Sequence, residues 1–240
     1  MLKKESNQKL FWVTIFAVAM AFLETAVVIY LRQIYYQQGF GFPPNYLINP
    51  FIMLIEWLRE ISTIVMLACI GILVGRKTYE KFAYFIYGMA IWDIFYYVFL
   101  KFTLNWPSSF LTWDSLFLIP VQWVGPVLAP IICSITMIVL AFCILHCQDN
   151  EKGKKIYFAL KEWILFIAGA LVIVYTFLHD YASLIIKGGF LPDFWNLANN
   201  QKFQQVILSY SPAYYNWPLF VLGEILIVLG IILFYKRYEK

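Results

Sequence analysis

Residues 51–74 read FIMLIEWLREISTIVMLACIGILV, an apolar run that contains only three charged side chains. A helix of this length extends about 36 Å at 1.5 Å per residue, which exceeds the roughly 30 Å of a bilayer's hydrocarbon core. Helix is the expected conformation, because the unpaired edges of a sheet cannot face lipid. The stretch therefore predicts a transmembrane helix.

Five further apolar runs of similar length occur along the chain. They are residues 10–31, 82–103, 121–145, 163–185 and 215–235. Of the 240 residues, 62% are hydrophobic and 13% are charged, against about 25% charged in a soluble protein. This pattern predicts an all-α fold, a polytopic transmembrane helical bundle of about six helices that forms a single domain over residues 1–240. Residues 107–120 are too short and too polar to span, and we expect an outer interfacial or re-entrant helix there.

The orientation of the predicted helices follows from the basic residues. If the N-terminus is inside, the inner segments hold 13 of the 18 Lys and Arg residues and the outer segments hold four. Basic residues accumulate in cytoplasmic loops, so both termini are predicted to be cytoplasmic. The net charge of +4 comes from these loop residues, so it does not indicate nucleic-acid binding. The expected partner is the lipid bilayer.

Acidic side chains recur at a common depth in the predicted helices. Counted from the predicted cytoplasmic ends, Glu24 and Glu60 lie about 21 Å into their helices, and Asp93 and Glu224 lie about 17 Å in. Glu56 lies one helical turn before Glu60 and Arg59 lies immediately before it, so Glu56 shares a helix face with both. The predicted site therefore consists of six residues. They are Glu24, Glu56, Arg59, Glu60, Asp93 and Glu224.

Ionisable side chains at this depth are costly, each by at least about 2.5–3.5 kcal/mol, and they usually mark functional sites. One arginine cannot neutralise five carboxylates, so some of them must be protonated, paired, hydrated or bound to a cation. Carboxyls that lie close together also titrate as a set. The alternative is structural, with these side chains only tying helices together through hydrogen bonds and one Glu–Arg pair.

Accessory residues lie near the predicted site. Tyr97 and Lys101 follow Asp93 at helical spacing, and Asp114 lies in the outer loop. His179 and Asp180 lie near the outer end of the predicted helix over residues 163–185 and suit proton transfer, although a solvated helix end is the simpler explanation.

A possible contact face for another helix occurs in the predicted helix 4. Gly125, Ala129 and Cys133 are small residues at four-residue spacing. Such a pattern lets a second helix approach closely, and it predicts a homo- or hetero-oligomer.

Three functions fit this pattern. The first is proton- or cation-coupled transport or permeation of a small solute through the carboxylate and arginine site. The second is a membrane enzyme that uses a carboxylate-bound metal or an acid/base pair on a lipid-soluble substrate. The third is a non-catalytic subunit of a larger membrane complex. The sequence has no haem, flavin or nucleotide signature, and the one cofactor it suggests is a carboxylate-bound cation.

The stretch WDIFYYVFLK…NWPSSFLTWDSLFLIPVQWVGPVLAP, from Trp92 to Pro130, resembles a pattern found in uncharacterised bacterial multi-pass membrane proteins. The resemblance covers helices 2 to 4 best. It implies a location in the bacterial inner membrane and assigns no site residue.

Overall fold

The computed structural model describes residues 2–35, 49–150 and 156–239. Within these ranges the chain forms seven α-helices, one 3-10 helix and two strands. In chain order they are α1 (Lys4–Tyr35), α2 (Pro50–Val74), α3 (Thr78–Leu104), β1 (Trp113–Phe117), β2 (Trp123–Pro126), α4 (Leu128–Asn150), α5 (Leu160–Lys187), the 3-10 helix (Leu191–Asn199), α6 (Gln201–Ser209) and α7 (Trp217–Glu239).

Six of these helices, α1 to α5 and α7, are long and apolar enough to cross a membrane. Large apolar side chains cover much of their surface; Leu73, Leu171 and Leu23, for example, are all exposed. An apolar exterior of this extent suits lipid rather than water. The predicted six long apolar helices are confirmed, and they support a multi-pass membrane protein.

The helix expected over residues 107–120 is wrong, because β1 occupies residues 113–117. Aromatic residues at both ends of WDSLF favour a strand, and its Asp and Ser are poor helix formers. Helix 4 was also predicted to begin too early, at Val121, whereas α4 begins at Leu128. The later start places Pro130 in the first helical turn, where its missing N–H group costs no hydrogen bond.

β1 and β2 pair antiparallel and form a small hairpin over residues 113–126. Asp114 lies opposite Gly125, and Phe117 lies opposite Trp123 with an irregularity in between. β2 packs on α5 and α4. The hairpin therefore lies at one end of the helices, which we call the strand end.

The helices pack in two groups that α4 joins. α3 contacts α1, α2 and α4, whereas α7 contacts α5 and α4. At the end opposite the hairpin, the backbone N–H of Lys3 donates to Asp149, and Arg237 pairs with the buried Glu162. Both described ends of the chain thus lie on this opposite side. That this side faces the cytoplasm stays a prediction.

Glycines allow two close helix contacts. A Cβ at Gly169 on α5 would lie 2.7 Å from the carbonyl oxygen of Gly223 on α7, and a Cβ at Gly71 on α2 would lie 2.7 Å from the carbonyl oxygen of Lys81 on α3. Small residues permit such backbone approaches in membranes. These contacts fix α5 against α7 and the last turns of α2 against α3.

Candidate functional site

A small cavity of about 50 Å³ lies between α1, α2, α3 and β1. Five of the six predicted site residues line it, together with backbone and side chains of the hairpin. The charged lining residues are Glu24, Glu56, Arg59, Glu60 and Asp93. The structure thus brings most of the predicted site together from three helices, and we call this space the carboxylate cavity.

Arg59 is the cation of the carboxylate cavity. Its Nε and one terminal nitrogen donate to the same carboxylate oxygen of Glu56, at 3.1 and 2.7 Å. Its other terminal nitrogen pairs with Glu24 on α1. The side chains of Glu56 and Glu24 are only 5% and 11% exposed. One guanidinium therefore compensates two nearly buried carboxylates and ties α2 to α1.

Glu60 connects α2 to the hairpin. Its carboxylate accepts a hydrogen bond of 3.0 Å from the backbone N–H of Leu118, and its side chain is buried. Ser115 and Leu116 of β1 line the same cavity. The hairpin therefore closes the carboxylate cavity from the strand end, a role that the sequence pattern did not reveal.

Asp93 connects the carboxylate cavity to α4. The hydroxyl of Ser134 on α4 donates to Asp93 at 2.8 Å, and Ser134 is fully buried. Hydroxyl donors in apolar helices satisfy buried acids in this way. Sequence reasoning missed Ser134, although a serine near the middle of an apolar run is the available signal.

Glu224 is not among the described residues that line the carboxylate cavity. It lies on α7, where one of its carboxylate oxygens accepts a 2.7 Å hydrogen bond from the hydroxyl of Thr136 on α4. The predicted depth placed Glu224 level with the other acids, but depth fixes no direction around the bundle axis. The cavity thus does not include Glu224, and the part of Glu224 in a functional site stays a prediction.

A second polar group lies beside the cavity at the strand end. The hydroxyl of Tyr97 donates to the buried Asp114 at 3.1 Å, and Arg32 lies 4.0 Å above the ring of Trp106. Burial raises the pKa of Asp114 to about 6, and the nearby charge of Arg32 opposes the rise.

Arg32 was expected outside the helices, yet it is buried near the end of α1. Its spacing of eight residues from Glu24 is the signal that could have revealed it.

The raised pKa of Asp114 makes stability depend on pH. Its usual pKa is about 3.9, so between about pH 4 and pH 6 the folded chain holds a proton that the unfolded chain has lost. Stability therefore falls as pH rises through this range. Asn at this position still accepts from Tyr97 but binds no proton. Asp114→Asn should therefore remove up to about 3 kcal/mol of the loss in the free energy of unfolding over this pH range. Thermal unfolding in detergent at pH 4.5 and 7 measures the change. Asp193→Asn, at an exposed position, is the control, and an unchanged slope in Asp114→Asn contradicts the prediction.

The other accessory residues lie away from the carboxylate cavity. Lys101 is exposed and donates to the carbonyl oxygen of Pro107 at 3.0 Å. His179 contacts Asp180 at 3.1 Å, and both line a separate cavity beside α5. They are thus no part of the predicted carboxylate site.

The small residues predicted to form a helix 4 face do not share one helix. Gly125 lies in β2, where an added Cβ would meet the ring of Phe177 at 3.0 Å. Ala129 is fully buried and, with Cys133, packs in the core formed with α5 and α7. These residues contact other parts of the same chain. An oligomer stays a prediction.

Among the described residues, no three His, Cys, Asp or Glu side chains are placed to hold one metal ion. Each acid that lines the carboxylate cavity accepts a hydrogen bond from a specific donor. Glu56 accepts from Arg59 and Glu24 from Thr63. Glu60 accepts from the backbone N–H of Leu118, and Asp93 accepts from Ser134. Each of these four acids is thus hydrogen-bonded within the protein itself.

Comparison of the chain with protein-family models, with curated proteins and with solved structures finds no match, so any function must be argued from the site itself.

Proposed function

We propose that this chain is a membrane transport protein whose carboxylate cavity takes up and releases protons, either as the coupling ion or as the permeating ion. The observation that carries the proposal is the convergence of four carboxylates and a single arginine on one cavity between apolar helices. Chains of acidic groups at membrane depth are typical of proton pathways in pumps and transporters.

The size of the carboxylate cavity favours a proton. A water molecule needs roughly 10–15 Å³ of such space, so about 50 Å³ accommodates a few waters. Pockets that bind small organic molecules typically have about 300 Å³ or more. Water between Glu60 and Asp93 would let a proton pass from one carboxylate to the other without a large movement of the helices.

The unequal pairing of the acids also supports this function. Arg59 compensates Glu24 and Glu56, whereas Glu60 and Asp93 accept only single hydrogen bonds from neutral donors. Uncompensated carboxylates in apolar surroundings hold protons more readily. Glu60 and Asp93 are therefore the proposed proton carriers, and Arg59 is the proposed counter-charge for the other two acids.

Replacing Glu60 with Gln tests the proposal. The amide oxygen of Gln still accepts from Leu118 N–H, but Gln cannot release a proton. In vesicles that contain the purified protein and a trapped pH dye, we expect the rate of proton entry under an imposed potential to fall about 100-fold, the lower range for loss of one positioned proton-transfer group. Asp93→Asn should have a similar effect.

Glu5→Gln is the matched control, since Glu5 is an exposed carboxylate at the end opposite the hairpin. It should conduct as the unmodified protein does. Vesicles with the unmodified protein that admit protons no faster than empty vesicles would remove the proposal. Equal rates in the unmodified protein and Glu60→Gln would remove Glu60 as a carrier.

A further inference from the structure

A second and larger cavity, of about 670 Å³, lies beside α5 at the strand end. Its walls are the last three turns of α5, the end of α6 and the segment 210–216 that leads into α7. We call it the α5–α7 cavity. Its volume lies in the range of sites that bind small molecules, and none of its lining residues lines the carboxylate cavity.

One part of the α5–α7 cavity suits a cation. Asp180 accepts a hydrogen bond from the hydroxyl of Tyr210 and contacts His179. An ionised carboxylate has about four acceptor positions, so Asp180 retains capacity for a ligand. The rings of Tyr175 and Tyr214 are more than half exposed and line the same space. Carboxylates and tyrosine faces together attract ammonium groups.

The other part of the α5–α7 cavity carries positive charge. Lys187 lines the cavity in the last turn of α5 and is exposed. It lies seven residues after Asp180, so the two side chains share a helix face about 10 Å apart along the axis. The long flexible stem of Lys187 lets its ammonium reach different positions along this gap.

We infer that the α5–α7 cavity binds a small zwitterion, with the ammonium of the ligand at Asp180 and the tyrosine rings and its anionic group at Lys187. The headgroup of an ethanolamine phospholipid and a free amino acid share this chemistry. The cavity lies where two apolar helices, α5 and α7, end, which gives both a membrane-embedded and a dissolved ligand access.

The pair of opposite charges distinguishes this ligand class from its neighbours. A neutral sugar would use the tyrosine rings and leave both charges without partners. An anion alone would meet Asp180, and a cation alone would meet Lys187. A zwitterion satisfies both ends of the α5–α7 cavity at once.

The test is a thermal-shift titration of the purified, detergent-solubilised protein with four probes of defined charge. They are glycerophosphoethanolamine and β-alanine as zwitterions, ethanolamine as a cation and glycerol phosphate as an anion. We expect a zwitterion to raise the Tm in a saturable way and the singly charged probes to bind at least about tenfold more weakly, the effect of losing one charge-assisted hydrogen bond. Asp180→Asn and Lys187→Gln should each weaken zwitterion binding by a similar factor.

Asp193→Asn and Lys202→Gln are matched controls, because both residues are exposed and neither lines the α5–α7 cavity. Lys187→Gln keeps the test decisive if Asp180→Asn fails to fold. Binding of glycerophosphoethanolamine alone identifies a lipid headgroup as the source, and binding of β-alanine alone identifies a dissolved solute. Equal binding of all four probes, no binding of either zwitterion, or unchanged zwitterion affinity in Lys187→Gln would overturn the inference.

Discussion

Replacing Arg59 with Gln is expected to lower the free energy of unfolding by about 3–5 kcal/mol, the usual cost of removing one partner from a buried ion pair. Glu24 and Glu56 both depend on this guanidinium, and both side chains are nearly buried. Without it, each carboxylate must either stay charged in apolar surroundings or take up a proton. The effect should appear as a large fall in Tm in detergent and a low yield of monodisperse protein.

Arg76→Gln is the control for the loss of an arginine. Arg76 is 75% exposed, and its partner Glu5 is also exposed, so the expected change is below about 1 kcal/mol. Adding Glu24→Gln to Arg59→Gln should recover part of the lost stability, because one fewer carboxylate is left uncompensated. If Arg59→Gln is as stable as Arg76→Gln, the arginine does not hold the site together.

A second large effect is expected at the contact between α5 and α7. Gly169→Leu should destabilise the fold by about 3 kcal/mol or more, because overpacking already costs about 1–3 kcal/mol where neighbours can shift. Here the nearest neighbours of an added Cβ are the carbonyl oxygen of Gly223 and a side-chain carbon of Ile227, both at 2.7 Å. The helices would have to move apart at this contact, and thermal unfolding would detect the resulting loss of stability.

Ala170→Leu is the matched control for Gly169→Leu. Ala170 is the next residue on α5 and is exposed, so the same enlargement there should leave Tm nearly unchanged. Gly169→Ala should give an intermediate loss. A Gly169→Leu variant as stable as Ala170→Leu would show that α5 and α7 do not depend on this close approach.

The six long helices were predictable because each is specified within its own sequence by an unbroken apolar run. Residues 51–74, for example, differ from α2 (Pro50–Val74) by one residue. The hairpin was not predictable in this way. Trp113–Phe117 becomes a strand by pairing with Trp123–Pro126, and a pairing between two short segments leaves no periodic signal long enough to separate it from a short helix.

The carboxylate site was predictable in part for a similar reason. Spacing along α2 places Glu56, Arg59 and Glu60 near one another whatever the rest of the chain does. To predict that Glu24 and Asp93 lie near this group, it was enough to assume that their helices pack on α2 or close to it. To place Glu224 correctly, one must know which helices are neighbours. In the structure α7 packs on α4 and α5, away from α2. Hydrophobic patterning does not contain that information.

The hydrogen bond between Leu118 and Glu60 has an evolutionary consequence. The donor is a backbone N–H, which every residue except proline possesses. Position 118 can therefore drift among apolar side chains in related sequences without opening the site, whereas position 60 must keep an acceptor of the same length. Since Glu60 is also a proposed proton carrier, we expect families of such chains to vary at the first position and to retain Glu at the second.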